Sequence, residues 1–164
     1  MTLGVAVTRY RYVGPREIAA AAGEPGRIVA ARDDLAAWLR ASGERAATFV
    51  VGVDEQLRIA DRRSEHVACA GALEVLAAGE MFFDDAANVA AVSNLSSGFC
   101  PEPASWAAVG AALDRAGIRH PGRFTEAFEF RRCEACGERN LVKDDDYTCA
   151  ICGAALPAAW NFAP

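Results

Sequence analysis

The amino-acid sequence predicts an α+β fold with a mostly antiparallel sheet and two or three helices. Apolar, strand-like runs follow one another with only short turns between them, as at residues 47–53 and 57–60, which is typical of antiparallel pairing. The helical patterns are grouped and do not alternate with every strand. The chain has 164 residues, 52% of them apolar, which is enough to bury a core without disulfides.

The first half of the chain contains two predicted helices and three predicted strands. Pro15 follows the strand-like residues 3–12 and suits the first turn of a helix. Asp33 favours the positive end of the next helix, and Gly43 suits the position where that helix ends. The polar residues 54–56 separate two apolar runs as a tight turn. These signals predict strands over residues 3–12, 47–53 and 57–60, and helices over 16–22 and 33–41.

The second half contains a predicted hairpin and the longest predicted helix. The two aspartates at 84–85 lie between apolar runs and predict the turn of the hairpin. Glycine inside a strand pattern often marks a β-bulge, so Gly79 predicts one within residues 77–80. Trp106 begins an apolar helical stripe that Gly117 ends. These signals predict strands over residues 75–83, 89–92 and 124–130, and a helix over 104–116.

Two C-x-x-C-G motifs near the end of the chain, separated by twelve residues, carry the clearest chemical signal. Two residues between paired cysteines let both sulfurs reach one ion, and the glycine lets the backbone fold back towards them. Four thiolates close a tetrahedral coordination shell and leave no position for water. The motifs therefore predict a structural, non-catalytic metal site, and its ligands are Cys133, Cys136, Cys149 and Cys152.

Residues 128–160, which contain these motifs, resemble zinc ribbons of the rubredoxin-like type. The resemblance implies structural Zn(II), with the residues between the motifs forming a strand, a turn and a strand. Iron bound by the same four thiolates is one alternative, and two redox-active C-x-x-C pairs are another. We place the domain boundary at the Pro121-Gly122 break. This gives an α+β domain over residues 1–122 and a zinc ribbon with a C-terminal tail over residues 123–164.

The middle of the chain, residues 62–103, holds most of the remaining polar residues that are candidates for chemistry. In a catalytic interpretation His66 is a general acid or base, Cys100 or Ser97 is its nucleophile, and Glu80 orients a substrate or donates a proton. That interpretation makes the protein a small transferase or hydrolase. In the structural alternative, His66 and Glu80 hydrogen-bond to loop backbone, and Cys100 is a small buried apolar group.

Residues 66–101 also resemble a segment of a plant calmodulin-binding family and of bacterial proteins. That segment has a His-Ser-Ser start, an Ala-Gly step and a Ser-Gly-His-Tyr-x-Pro end, and it implies no particular chemistry. The whole chain resembles small zinc-ribbon proteins of actinobacteria. The residues that match the segment of the plant family are His66, 78–79 and 97–98. Residues 67–68 and 99–100 depart from it.

Charge and composition favour a binding or adaptor protein that acts on a protein partner. The formal net charge is −5, whereas a general nucleic-acid clamp needs clustered cations. We expect a cytoplasmic protein, because the start of the chain lacks a signal-peptide pattern and no apolar run is long enough for a membrane span. A nucleic-acid-binding ribbon is the third hypothesis, and it would need an exposed cationic face made by Arg123, Arg131, Arg132, Arg139 and Lys143.

Overall fold

The computed structural model describes residues 7–163, and over this range it contains two antiparallel sheets. The strands, in chain order, are β1 (Arg27–Val29), β2 (Ala46–Gly52), β3 (Leu57–Asp61), β4 (Val75–Phe83), β5 (Val89–Val92), β6 (Glu129–Arg132) and β7 (Arg139–Val142). The larger sheet has the order β1-β3-β2-β4-β5, with every neighbouring pair antiparallel. The smaller sheet pairs β6 with β7. The predicted α+β class with a mostly antiparallel sheet is confirmed.

Four α-helices lie within residues 7–163, and a 3-10 turn at Pro103–Ser105 precedes the last of them. They are α1 (Arg16–Ala20), α2 (Arg32–Ser42), α3 (His66–Cys69) and α4 (Trp106–Ala116). The two long helices end as predicted at glycines with left-handed backbone, Gly43 at φ 70° and Gly117 at φ 69°. Over the described residues, no helix is long and apolar enough to cross a membrane.

The larger sheet is covered on both faces, and each face has its own apolar core. Leu35 of α2 and Leu113 of α4 pack with Phe49 and other apolar strand residues on one face. On the opposite face, Val67 of α3 packs with Val50 and with residues from the chain ends and loops. Because β2 lies at the centre of the sheet, all seven of its residues are buried.

The sequence predictions missed short elements that long-range contacts stabilise. Residues 3–6 of the first predicted strand lie outside the described residues, and residues 7–12 form no regular strand. Within them, Tyr10 makes an isolated antiparallel bridge to Val75, whose carbonyl accepts the Tyr10 N–H at 2.7 Å. Strand β1, of three residues, and helix α3, a single turn, lie in segments for which no regular element was predicted. Elements this short carry too little periodicity to be seen in the sequence.

The predicted β-bulge around Gly79 is wrong. Gly79 pairs with Phe49 in unbroken register, and the irregularities lie at the Val51–Gly52 and Phe82–Phe83 steps. The glycine has a different role, because a Cβ at Gly79 would lie 1.9 Å from the carbonyl oxygen of Ser93. The backbone that follows β5 crosses so closely over β4 that no side chain fits at this position.

The strand pairing in the C-terminal region also differs from the prediction. Strand β6 lies later than the predicted strand over residues 124–130, and β7 pairs with it across the first cysteine motif. The expected hairpin partner of β7, residues 147–148, makes only an isolated bridge between Thr148 and Ala155. The first motif therefore lies in the connection of a two-stranded ribbon, and the second lies beyond it.

Candidate metal centre

The four cysteines predicted as metal ligands come together in one cluster. Their Sγ atoms all lie within 4.8 Å of one another. The pairs Cys133–Cys152 and Cys136–Cys149 have Sγ–Sγ distances of 3.6 Å each. Four sulfurs at the usual zinc distance of about 2.3 Å would be separated by about 3.8 Å at the corners of a tetrahedron. The cluster is therefore compact enough to share one metal ion, and it is compatible with a zinc ribbon.

Each cysteine motif forms the same tight turn. In the first, Cys133 N–H donates to the Glu138 carbonyl and Gly137 N–H donates to the Cys133 carbonyl, both at 2.8 Å. The second motif repeats these two bonds at 2.8 and 3.0 Å. The glycines have φ of 80° at Gly137 and 75° at Gly153, a region that disfavours residues with a Cβ. The predicted role of these glycines in folding the backbone back is confirmed.

Backbone and side-chain donors lower the pKa of the Cys149 thiol. The amide of Cys152 is the largest cause that lowers the pKa of Cys149 to about 6; burial opposes it, and the amide of Ile151 and the Asn140 side chain support it. Asn140 Nδ2 lies 3.4 Å from this sulfur, while its Oδ1 accepts the Ala150 N–H at 3.0 Å. The Asn140 side chain thus supports a sulfur that is ready to act as a thiolate ligand, a role that the sequence analysis did not assign.

Asn94 joins the segment before the metal centre to the rest of the molecule. Its side chain donates to the carbonyls of Phe128 at 2.8 Å and Pro101 at 3.1 Å, and its Oδ1 accepts the Phe128 N–H at 2.7 Å. The residue is fully buried. An amide is well suited to this position, because it supplies two donors and one acceptor in a fixed plane.

Replacing Asn94 with alanine is expected to lower the free energy of unfolding by about 3 kcal/mol, because three backbone groups would lose their partner in a buried position. The urea midpoint checks this. Exposed Ser97, whose hydroxyl makes no hydrogen bond within residues 7–163, provides the control, and Ser97→Ala should change stability by less than about 0.5 kcal/mol. Equal midpoints for the two variants would show that Asn94 does not hold the two parts together.

The C-terminal tail contacts both parts of the molecule. The Trp160 indole N–H donates to the Cys100 carbonyl at 2.8 Å, and its ring meets Tyr10 edge-on at 5.5 Å. The next residue, Asn161, exchanges two hydrogen bonds of 2.8 Å each with the backbone of Arg132 in β6. The tail is therefore placed to tie the ribbon to the larger sheet.

The predicted catalytic residues fall into two separate groups of contacts. His66 Nε2 lies 2.9 Å from the Gly79 carbonyl, next to Glu80. Cys100 is fully buried, its Sγ lies 3.4 Å from the Ser97 carbonyl, and burial raises the pKa of its thiol to about 12. Among residues 7–163, no hydrogen bond links His66 to Ser97 or Cys100. A buried thiol of high pKa is a poor nucleophile. The assignment of His66, Glu80, Ser97 and Cys100 to catalysis stays a prediction.

The half-buried position of His66 predicts a pH-dependent stability. Burial lowers its pKa below the ordinary 6.5, so in acid the unfolded chain takes up this proton before the folded chain does. The contribution of neutral His66 to the free energy of unfolding is fully present above pH 6.5. It is lost as the pH falls below that value. We expect the difference in urea midpoint between wild type and His66→Gln to narrow from pH 7.5 to 5.5. Protonation of the cysteine ligands affects both proteins alike. A difference in urea midpoint that stays constant from pH 7.5 to 5.5 would therefore contradict this expectation.

Two cations of the proposed nucleic-acid face donate hydrogen bonds to the protein's own backbone. Arg131 is 7% exposed, and its guanidinium donates to the carbonyls of Phe130, Pro157 and Ala158. Arg139 donates to the Ser97 carbonyl. These arginines serve as internal hydrogen-bond donors between segments of the chain.

Comparison with known protein families, with curated proteins and with solved structures found no match to this chain.

Proposed function

We propose that the protein is a non-catalytic binding or adaptor protein in which a structural zinc ion organises a C-terminal ribbon. The observation that carries the proposal is the cluster of four Sγ atoms within 4.8 Å of one another. Four protein sulfurs leave no open coordination position for water or substrate, which is the arrangement of structural and not of catalytic zinc. The cytoplasm suits such a site, because thiols remain reduced there.

The zinc ion would replace a hydrophobic core that the ribbon lacks. The buried apolar cluster around the metal centre consists of Cys133, Cys149 and Leu156, and two of these three residues are the proposed ligands themselves. A module of this size needs a metal or disulfides to fold. This supports a separate zinc ribbon, which with its tail we assign to residues 123–164, after an α+β domain over residues 1–122.

The surface of the ribbon favours a protein as the binding partner. Ile151, between the two cysteines of the second motif, is 71% exposed, and we propose this side chain as the contact with the partner. Burial of Arg131 and its bonds to three carbonyls remove one cation from a nucleic-acid face. The overall charge of −5 also opposes binding to phosphates.

Affinity capture with a single surface substitution tests this function. We expect Ile151→Glu to abolish capture of a protein partner from extracts of the source organism without changing the metal content. Ile28→Glu, at an apolar position that is 45% exposed on β1, provides the matched control and should retain capture. Tight binding of RNA or DNA at about 150 mM salt, measured by fluorescence anisotropy, would overturn the choice of partner.

A further inference from the structure

A pocket of about 250 Å³ lies at one end of the larger sheet, where β2 turns into β3 and where the chain leaves α3. Its wall includes Val50 and Ala70, which are both buried. Leu73 and Val53 stand at its rim, 65% and 39% exposed. The pocket thus offers an apolar interior with an apolar rim that is open to solvent.

Two glycines in the wall of this pocket leave no room for a side chain. A Cβ at Gly52 would lie 2.6 Å from Asp54 Oδ1 and 2.7 Å from Arg58 Nη1, so a side chain there would displace that ion pair. Gly71 has φ of 62°, and a Cβ on it would lie 3.3 Å from the Pro25 ring. Both residues line the pocket, and a side chain at either would disturb groups that form its wall.

The charges that line the pocket favour a cation. Arg58 is held by both oxygens of Asp54 at 2.9 and 2.7 Å, so its charge is neutralised. This bond is the largest cause that lowers the pKa of Asp54 to about 2, and the carboxylate is therefore ionised at neutral pH. Glu74 at the rim makes no ion pair with any residue from 7 to 163. Two carboxylates and one guanidinium leave the lining with one net negative charge.

We propose that this pocket binds a small organic cation, with an apolar body against Val50 and Leu73 and an ammonium group near Glu74 and Asp54. An anion would need Arg58, which Asp54 already occupies, and would face both carboxylates. The volume is below the roughly 300–1,000 Å³ of pockets for drug-sized ligands. The ligand is therefore of the size of a simple primary amine that carries one ring or a short alkyl chain.

The full chain can be titrated with three small molecules of similar shape while the chemical shifts of its backbone amides are followed by NMR. These titrations test the proposed site. 2-Phenylethylamine should bind with a dissociation constant on the order of 1 mM, and the largest shifts should lie at Gly52, Gly71 and Leu73. Phenylacetate should bind at least about three-fold more weakly than 2-phenylethylamine. The dissociation constant of neutral 2-phenylethanol should lie between those of the amine and the acid.

Substitution of the rim carboxylate separates charge recognition from simple apolar binding. Glu74→Gln should weaken binding of the amine about three-fold and leave that of 2-phenylethanol unchanged. Glu126→Gln removes the same charge from an exposed position outside the pocket and should leave both unchanged. Equal affinities for the three probes, shifts that centre elsewhere, or an equal effect of both substitutions on the amine would overturn the proposal.

Discussion

Replacing Cys149 with serine is expected to unfold the ribbon and release the C-terminal tail from the larger sheet. Structural zinc contributes about 10–16 kcal/mol of apparent binding free energy to small metal-dependent modules, and the buried cluster around the centre is too small to replace it. The tail then loses the bond from Trp160 to the Cys100 carbonyl and the packing against Tyr10. Exposing Trp160 and Phe162 should cost the remaining domain about 3 kcal/mol.

Two measurements check this release directly. The Trp160 indole N–H should exchange with solvent slowly in the wild type and rapidly in Cys149→Ser, and proteolysis of the variant should begin within residues 123–164. Cys69→Ala provides the control, because Cys69 is a buried cysteine outside the metal cluster. A variant at Cys149 that kept slow exchange and resisted proteolysis would show that the tail is held without the metal site.

Gly79→Ala is expected to destabilise the protein by about 3 kcal/mol or more. The added Cβ would lie 1.9 Å from the Ser93 carbonyl oxygen, 2.8 Å from its carbon and 3.0 Å from Asn94 Cα. These are backbone atoms, so no change of rotamer relieves the overlap. Either β4 or the chain after β5 must move, and movement of Asn94 would also strain its bonds to Phe128.

The urea midpoint of Gly79→Ala should be compared with that of Gly23→Ala. A Cβ at Gly23 would meet no heavy atom within 4 Å among the described residues, so this substitution should change stability by less than about 1 kcal/mol. A loss of stability that is similar in the two variants would mean that the close crossing of β4 by the segment after β5 does not exist in solution.

The cysteine cluster could be predicted from the sequence because the two turns that build it are local. Each C-x-x-C-G motif closes its own turn, and the glycines at 137 and 153 adopt the left-handed backbone that their position suggests. The hairpin of β4 and β5 and the glycine ends of α2 and α4 were predictable for the same reason. In all these cases the residues that determine the structure lie close together along the chain.

The features that the sequence did not reveal depend on contacts between distant residues. Gly79 suggests a bulge when seen alone, and only the approach of Ser93 explains why it must be glycine. The pairing of β6 with β7 across the first motif, and the bonds from Asn94 to Phe128, likewise join segments whose proximity no local pattern indicates. Catalytic roles for His66 and Cys100 were suggested by residue type alone, and residue type does not determine whether side chains converge.

The metal content of the purified full-length chain tests the central claim most directly. Elemental analysis by mass spectrometry, together with a count of reactive thiols, should find one zinc ion per chain and four thiols that become reactive only after chelation. A chain with four free, reduced cysteines in the cluster and no bound metal would contradict the account. Iron at one ion per chain would contradict the assignment of zinc.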